Sequence, residues 1–103
     1  MIEFIHEIYM YYVYILTNYN NDVMYIGVTK DLIRRLQENR NGTASVFTRK
    51  YHVYKLVYYV CYSDPKSAIA CEKKLKGWRR EKKDKLVETM NPEWKDLSES
   101  WER

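Results

Sequence analysis

Apolar residues early in the chain recur with a period of two. Val13, Ile15, Met24 and Ile26 fall on one side of two short runs, Tyr12 to Leu16 and Val23 to Gly27, both rich in β-branched and aromatic residues. Between the runs lies Asn18-Tyr19-Asn20-Asn21-Asp22, a cluster that favours turns, so the runs are expected to pair as an antiparallel hairpin. The alternation leaves Tyr14 and Tyr25 together on the other face, and a turn centred near Tyr19 and Asn20 makes them cross-strand neighbours. Gly27-Val28-Thr29 then leads into a helix that starts around Lys30 or Asp31, with Thr29 as N-cap and an acidic residue in its first turn. That helix runs to Arg40, with Leu32 and Leu36 on its buried side and Ile33 beside them, and Asn41-Gly42 ends it.

Thr43 to Tyr51 has no clear period and reads as a polar, basic connector containing Arg49 and Lys50. Val53 to Tyr62 is a β-rich run that completes a small sheet, its tyrosines serving packing and sheet surface. Ser63-Asp64-Pro65 starts a helix, Asp64 capping free amides and Pro65 sitting where it has no hydrogen bond to lose. Ala68, Cys71, Leu75 and Trp78 mark the buried stripe, and Glu72 lies within it. An unpaired charge there costs several kcal/mol, on the order of a whole stability margin, so Glu72 requires a cation. That cation is a metal ion or an arginine, Arg79 and Arg35 being the candidates for a purely structural pair. A second helical piece runs from Lys82 to about Thr89, after which Trp94 and Leu97 dock on the core. The pattern predicts an α/β fold: a three-stranded antiparallel sheet in β-β-α-β-α order flanked by helices. Residues 1–9 form an N-terminal extension, 10–97 the domain and 98–103 a C-terminal tail.

A length of 103 residues bounds this to one domain with a modest core. The net charge is only +4, but its distribution is uneven. From Glu72 to Lys85 eight basic residues face three acidic ones, whereas Glu88 to Arg103 holds five acids against two bases. Such asymmetry is expected where one face meets a polyanion, although a lysine-rich helix is as often a solvated surface. Lys73, Lys76, Arg79 and Arg80, with Arg49 and Lys50 of the connector, are the candidate nucleic-acid contacts. No apolar run approaches the roughly 18 residues of a membrane span. The opening MIEFIHEIY contains Glu3 and Glu7 and does not read as a secretory signal. Cys61 and Cys71 have no metal-type spacing, which fits reduced thiols and a cytoplasmic location. His6 and His52 lie away from the hairpin and read as surface or core.

Tyr12-Val13-Tyr14, then Tyr25-Ile26-Gly27, then Arg35 on the following helix resembles the GIY-YIG nuclease domain. The second signature triplet is intact; the first keeps its tyrosine as Tyr14 but has Tyr12 in place of glycine. The likeness runs from about Met10 to about Leu97 and is nearest to small stand-alone proteins related to the N-terminal nuclease module of the DNA-repair excinuclease. It implies hydrolysis of DNA phosphodiesters with a single divalent ion, Mg²⁺ or Mn²⁺, at a helix glutamate that matches Glu72. It also implies catalytic roles for Tyr14, Tyr25 and Arg35. Arg35 would meet the scissile phosphate with a planar pair of donors, Arg34 being the alternative. Tyr25 is assigned to activating water and Tyr14 to orienting water or phosphate, with Lys30, Arg35 or the metal lowering a phenol pKa that is otherwise near 10. Many relatives carry a histidine four residues after the arginine; here it is Asn39, which cannot take a proton. Asn91 matches a late family asparagine near metal or phosphate. Without the resemblance, two tyrosines in a tyrosine-rich hairpin read as strand packing.

Two functions follow. One is a metal-dependent DNA endonuclease in repair or processing, monomeric or homodimeric, with a protein partner as a source of specificity. The other is a non-catalytic nucleic-acid-binding module on the same fold; a protein-interaction domain has less support.

Overall fold

The structure is a computed structural model that describes residues 10–101. The expected extension over residues 1–9, with His6, lies outside the described residues. Three strands, β1 (Tyr11–Thr17), β2 (Met24–Thr29) and β3 (Lys55–Tyr62), form an antiparallel sheet in the order β2-β1-β3. Among the described residues four helices accompany it: α1 (Leu32–Arg40), α2 (Val46–Tyr51), α3 (Pro65–Lys76) and α4 (Arg80–Met90).

Strand alternation divides the core in two. Val13, Ile15, Ile26 and Val57 pack on one face against Ala68 and Leu75 of α3 and Val87 of α4. Tyr14, Leu16 and Leu56 pack on the other against Leu32 and Leu36 of α1, with Leu97 and Trp101 closing that side. The packed unit continues past Leu97, since Ser98 is buried and the Trp101 ring stands edge-on to Tyr59. Met24, expected in the core, only leans on it, and Ile33 is exposed on α1.

The hairpin forms with a shifted turn. Tyr14 pairs with Gly27 and Tyr25 with Leu16, which centres the turn near Asn20 and Asn21 rather than Tyr19 and Asn20. Asn21 takes a left-handed φ of 63°, which asparagine tolerates better than most residues, and its side chain accepts from the Thr17 hydroxyl. The slip is two residues, so every side chain keeps its face. The two tyrosines become diagonal neighbours instead of opposite ones.

Helix starts follow local capping chemistry. Asp64 accepts from the Ser67 amide and Pro65 opens α3, as expected. For α1 the N-cap is Asp31, which accepts from the Arg34 amide, and Thr29 instead accepts from the Asp31 amide one step earlier. No acidic residue sits in the first turn of α1. The connector between α1 and β3 is not irregular: Ser45 caps α2, and the buried Thr48 hydroxyl donates to Asn39 Oδ1 at 2.7 Å, fastening α2 to α1. Among the described residues no helix is long and apolar enough to cross a membrane.

Candidate active site

Tyr14 is fully buried in the central strand, and its ring lies across Gly27 of the edge strand β2. A β-carbon at Gly27 would collide with the Tyr14 phenol, so the small residue is what admits the ring. Arg35 reaches down from α1 and donates from Nη1 to Tyr14 Oη at 3.4 Å. The Tyr25 ring lies 6.3 Å from that of Tyr14, tilted by 40°. Hairpin alternation and one helical turn of α1 thereby bring three of the four expected catalytic side chains together.

A cleft of about 510 Å³ opens beside them at the β2 edge. Lys30, Asp31, Arg34, Arg35 and Glu38 line it from the α1 side, and Pro65 and Ile69 from α3. Glu72 lies on α3 one turn beyond Ile69, where i and i+3 share a face. Its charge reaches Tyr14, although it makes no hydrogen bond to the tyrosine–arginine pair. The cation it meets is Lys76, at 2.6 Å, not Arg79 or Arg35. With its side chain only 15% exposed, Glu72 is the enclosed carboxylate of an i,i+4 pair whose lysine is half in solvent.

Burial pushes the Tyr14 phenol above its ordinary value, outweighing the lowering by the Arg35 hydrogen bond and charge. Tyr14 therefore stays protonated at neutral pH, against the expectation that Arg35 would lower a phenol pKa here. Arg35, despite some desolvation, is held more firmly charged by Tyr14 and Glu38. Sequence reasoning missed Glu38, which accepts from Arg34 Nε at 3.1 Å and from Arg35 Nε at 3.3 Å. The i,i+4 and i,i+3 spacing along α1 was the available signal.

Other expected residues go elsewhere. Asn39 is 1% exposed beneath α2, with Oδ1 bonded to Thr48 and Nδ2 without a partner. Asn91 is consumed in structure, donating to the Val57 and Lys95 carbonyls and accepting from the Lys95 amide, which ties it to β3 at the far edge of the sheet. Arg80 is a staple: its guanidinium donates to the Asn21 and Asp22 carbonyls of the hairpin turn and to Asp84. Lys73, Arg79, Arg49 and Lys50 are exposed.

Among the described residues no group of three or more His, Cys, Asp or Glu side chains is arranged to hold a metal. One enclosed carboxylate suits a hard ion that keeps most of its waters and takes remaining ligands from a phosphate, the habit of Mg²⁺. Glu72 fits that role once Lys76 yields an oxygen.

Residues 10–85 match the model of the GIY-YIG catalytic domain, a nuclease fold. The chain belongs to that family. Within it stand similar UPF0213 proteins: one from Bacillus pumilus is 34% identical over 70 residues, spanning 68% of this chain and 71% of the relative. Another, from Haloquadratum walsbyi, is 33% identical over 78 residues, spanning 76% and 86%. The solution NMR structure of a UPF0213 protein from Bacillus halodurans superposes with a TM-score of 0.55 at 27% identity, covering 88% of this chain and 97% of that one.

Proposed function

We propose that the protein is a divalent-metal-dependent DNA endonuclease, cutting phosphodiester bonds at the β2 edge. The observation that carries this reading is the Arg35–Tyr14 hydrogen bond over Gly27, with Tyr25 alongside. Arg35 donates to the buried Tyr14 oxygen, a bond that fixes the guanidinium from behind. The partly exposed guanidinium, held by Tyr14, faces the cleft and is offered to a phosphate whose negative charge grows in the transition state. Tyr25, less buried than Tyr14, is the group we assign to take the proton of the attacking water, a step that requires its phenolate form, the phenol proton having first passed to solvent. Glu72 would hold the ion, whose bound charge stabilises the phosphate oxygens during hydrolysis.

The test offers duplex, branched and single-stranded DNA with Mg²⁺ or Mn²⁺. Glu72→Ala and Arg35→Ala should each lower cleavage about a hundredfold or more. Mn²⁺ should raise the thermal midpoint of the wild type in the presence of DNA and leave that of Glu72→Ala unmoved. A second reading, a non-catalytic DNA-binding module, is favoured by one observation: Asn39, at the position where the family resemblance leads one to expect histidine, is sealed under α2 and bonded to Thr48, away from any attacking water. Binding of DNA with no cleavage under any of these conditions would select it.

A further inference from the structure

The candidate catalytic tyrosines are the inner end of a longer row of rings. Tyr14 and Tyr25 are 6.3 Å apart, Tyr25 and Phe47 5.8 Å, and Phe47 and Tyr51 4.9 Å, so the row passes from the central strand through β2 and out along α2. Its outer members contribute little to the core: Phe47 is 40% and Tyr51 41% exposed. Meanwhile α2 is held in place by a different residue, the buried Thr48 on Asn39. Large aromatic rings kept in solvent on an otherwise well-seated helix call for an occupant.

The charge around them says which. The sequence of α2, VFTRKY, contains Arg49 and Lys50 and no acid. Lys50 Nζ stands 5.3 Å from the centre of the Tyr51 ring. Exposed rings interleaved with cations are the surface that takes up a nucleic-acid strand, the rings stacking on bases and the cations following phosphates. A duplex hides its base faces inside the stack, so only unpaired bases can lie on such rings.

We propose that Phe47 and Tyr51, continuing outward from Tyr25, are a stacking platform for unpaired bases, and that the substrate is DNA single-stranded beside the bond to be cut. The proposal rests on the nuclease reading for the position of that bond, but the platform itself is a binding surface and can be tested without cleavage. In EDTA, where no metal-dependent cutting occurs, anisotropy gives the affinity of the full chain for a labelled single strand and for the same sequence as a duplex. A 2-aminopurine in the single strand reports stacking by loss of fluorescence.

Wild type should prefer the single strand and quench the probe. Phe47→Ala and Tyr51→Ala should each weaken single-strand binding at least about fivefold, weaken duplex binding little, and restore probe fluorescence. Their salt dependence should be unchanged, whereas Arg49→Gln with Lys50→Gln should flatten the log–log slope by about one unit per lost phosphate contact. Phe47→Trp keeps a stacking face and should hold wild-type affinity, which separates a lost ring from a disturbed fold.

Equal losses on single strand and duplex, or none, would overturn the platform even if Glu72→Ala abolishes cleavage. Concentration-dependent self-association that disappears in the Phe47→Ala, Tyr51→Ala double variant would overturn it in favour of a second copy of the chain. Absence of binding to any DNA would overturn both this proposal and the nuclease reading.

Discussion

Adding one methyl group at Gly27 drives it into the Tyr14 phenol, so Gly27→Ala tests the site through a residue that carries no chemistry of its own. The ring must move, and the 3.4 Å bond from Arg35 goes with it. Cleavage is expected to fall about a hundredfold, the scale of a lost preorganised donor, while overpacking costs about 1 to 3 kcal/mol of stability. Rates beside a urea unfolding curve check both. Glu38→Gln should act in the opposite sense on binding: it removes a carboxylate that occupies the Nε atoms of Arg34 and Arg35 and repels phosphate. DNA affinity should rise about two- to fivefold, the range of an exposed ion pair, as read by anisotropy at low salt. The shared face of Tyr14 and Tyr25 was legible from two-residue alternation alone. Their diagonal offset was not, because it depends on which asparagine of the turn takes positive φ. The partner of Glu72, by contrast, was legible, because Lys76 stands at i,i+4 on the same helix, a nearer neighbour than Arg79 or Arg35.

At the scale of elements, the hairpin, α1 and α3 follow from periodicity and capping signals, α4 begins at Arg80 rather than Lys82 with no capping side chain to mark it, and α2 is where the pattern misleads. A helix of six residues is under two turns, too short to display a period, and its anchoring side is the polar Thr48 while Val46 and Phe47 point outward. The hydrophobic pattern is inverted there. The Thr48 hydroxyl has one proton, given to Asn39 Oδ1, and receives the Ser45 hydroxyl in return. Since Asn39 Nδ2 already lacks a partner, Thr48→Val would leave the whole buried amide unsatisfied. The expected loss is about 1 to 3 kcal/mol by urea unfolding. The same joint bears on the histidine of the relatives: Asn39→His must fit a larger ring into this seat, so it should lower stability rather than raise the rate of cleavage. A second joint, Arg80 to the hairpin turn, converts an expected DNA contact into a structural one. Arg80→Ala should lower stability by about 1 kcal/mol, given its partial exposure, and leave the salt dependence of DNA binding unchanged. Lys73→Glu, on an exposed position of α3, should flatten that dependence by about one unit if the basic helix meets DNA.

Taken as a whole molecule, the chain packs both faces of a three-stranded sheet with tyrosine-rich strands, and this ties its stability to alkaline pH. Burial raises the pKa of Tyr14 and of Tyr58, and a hydrogen bond with Cys71, aided by burial, pushes Tyr62 up to about 12. In the unfolded chain these phenols ionise near 10. Between the two limits the unfolded state binds fewer protons than the folded one, so the slope of stability against pH is negative. Their stabilisation is complete below about pH 10 and is lost as pH rises through each raised folded-state value, which for Tyr62 is about 12. Lys55 works in the other direction, because burial lowers its pKa and the folded state releases that proton first, but it is one group against three. The thermal midpoint should therefore be level from pH 8 to about 9.5 and then fall. Tyr14→Phe removes one of the three titrations without emptying the core, so its midpoint should fall less steeply than that of the wild type over the same interval. Parallel curves for the two proteins would mean that Tyr14 ionises alike in both states, and the assignment of Tyr14 as a neutral phenol holding Arg35 would have to be withdrawn.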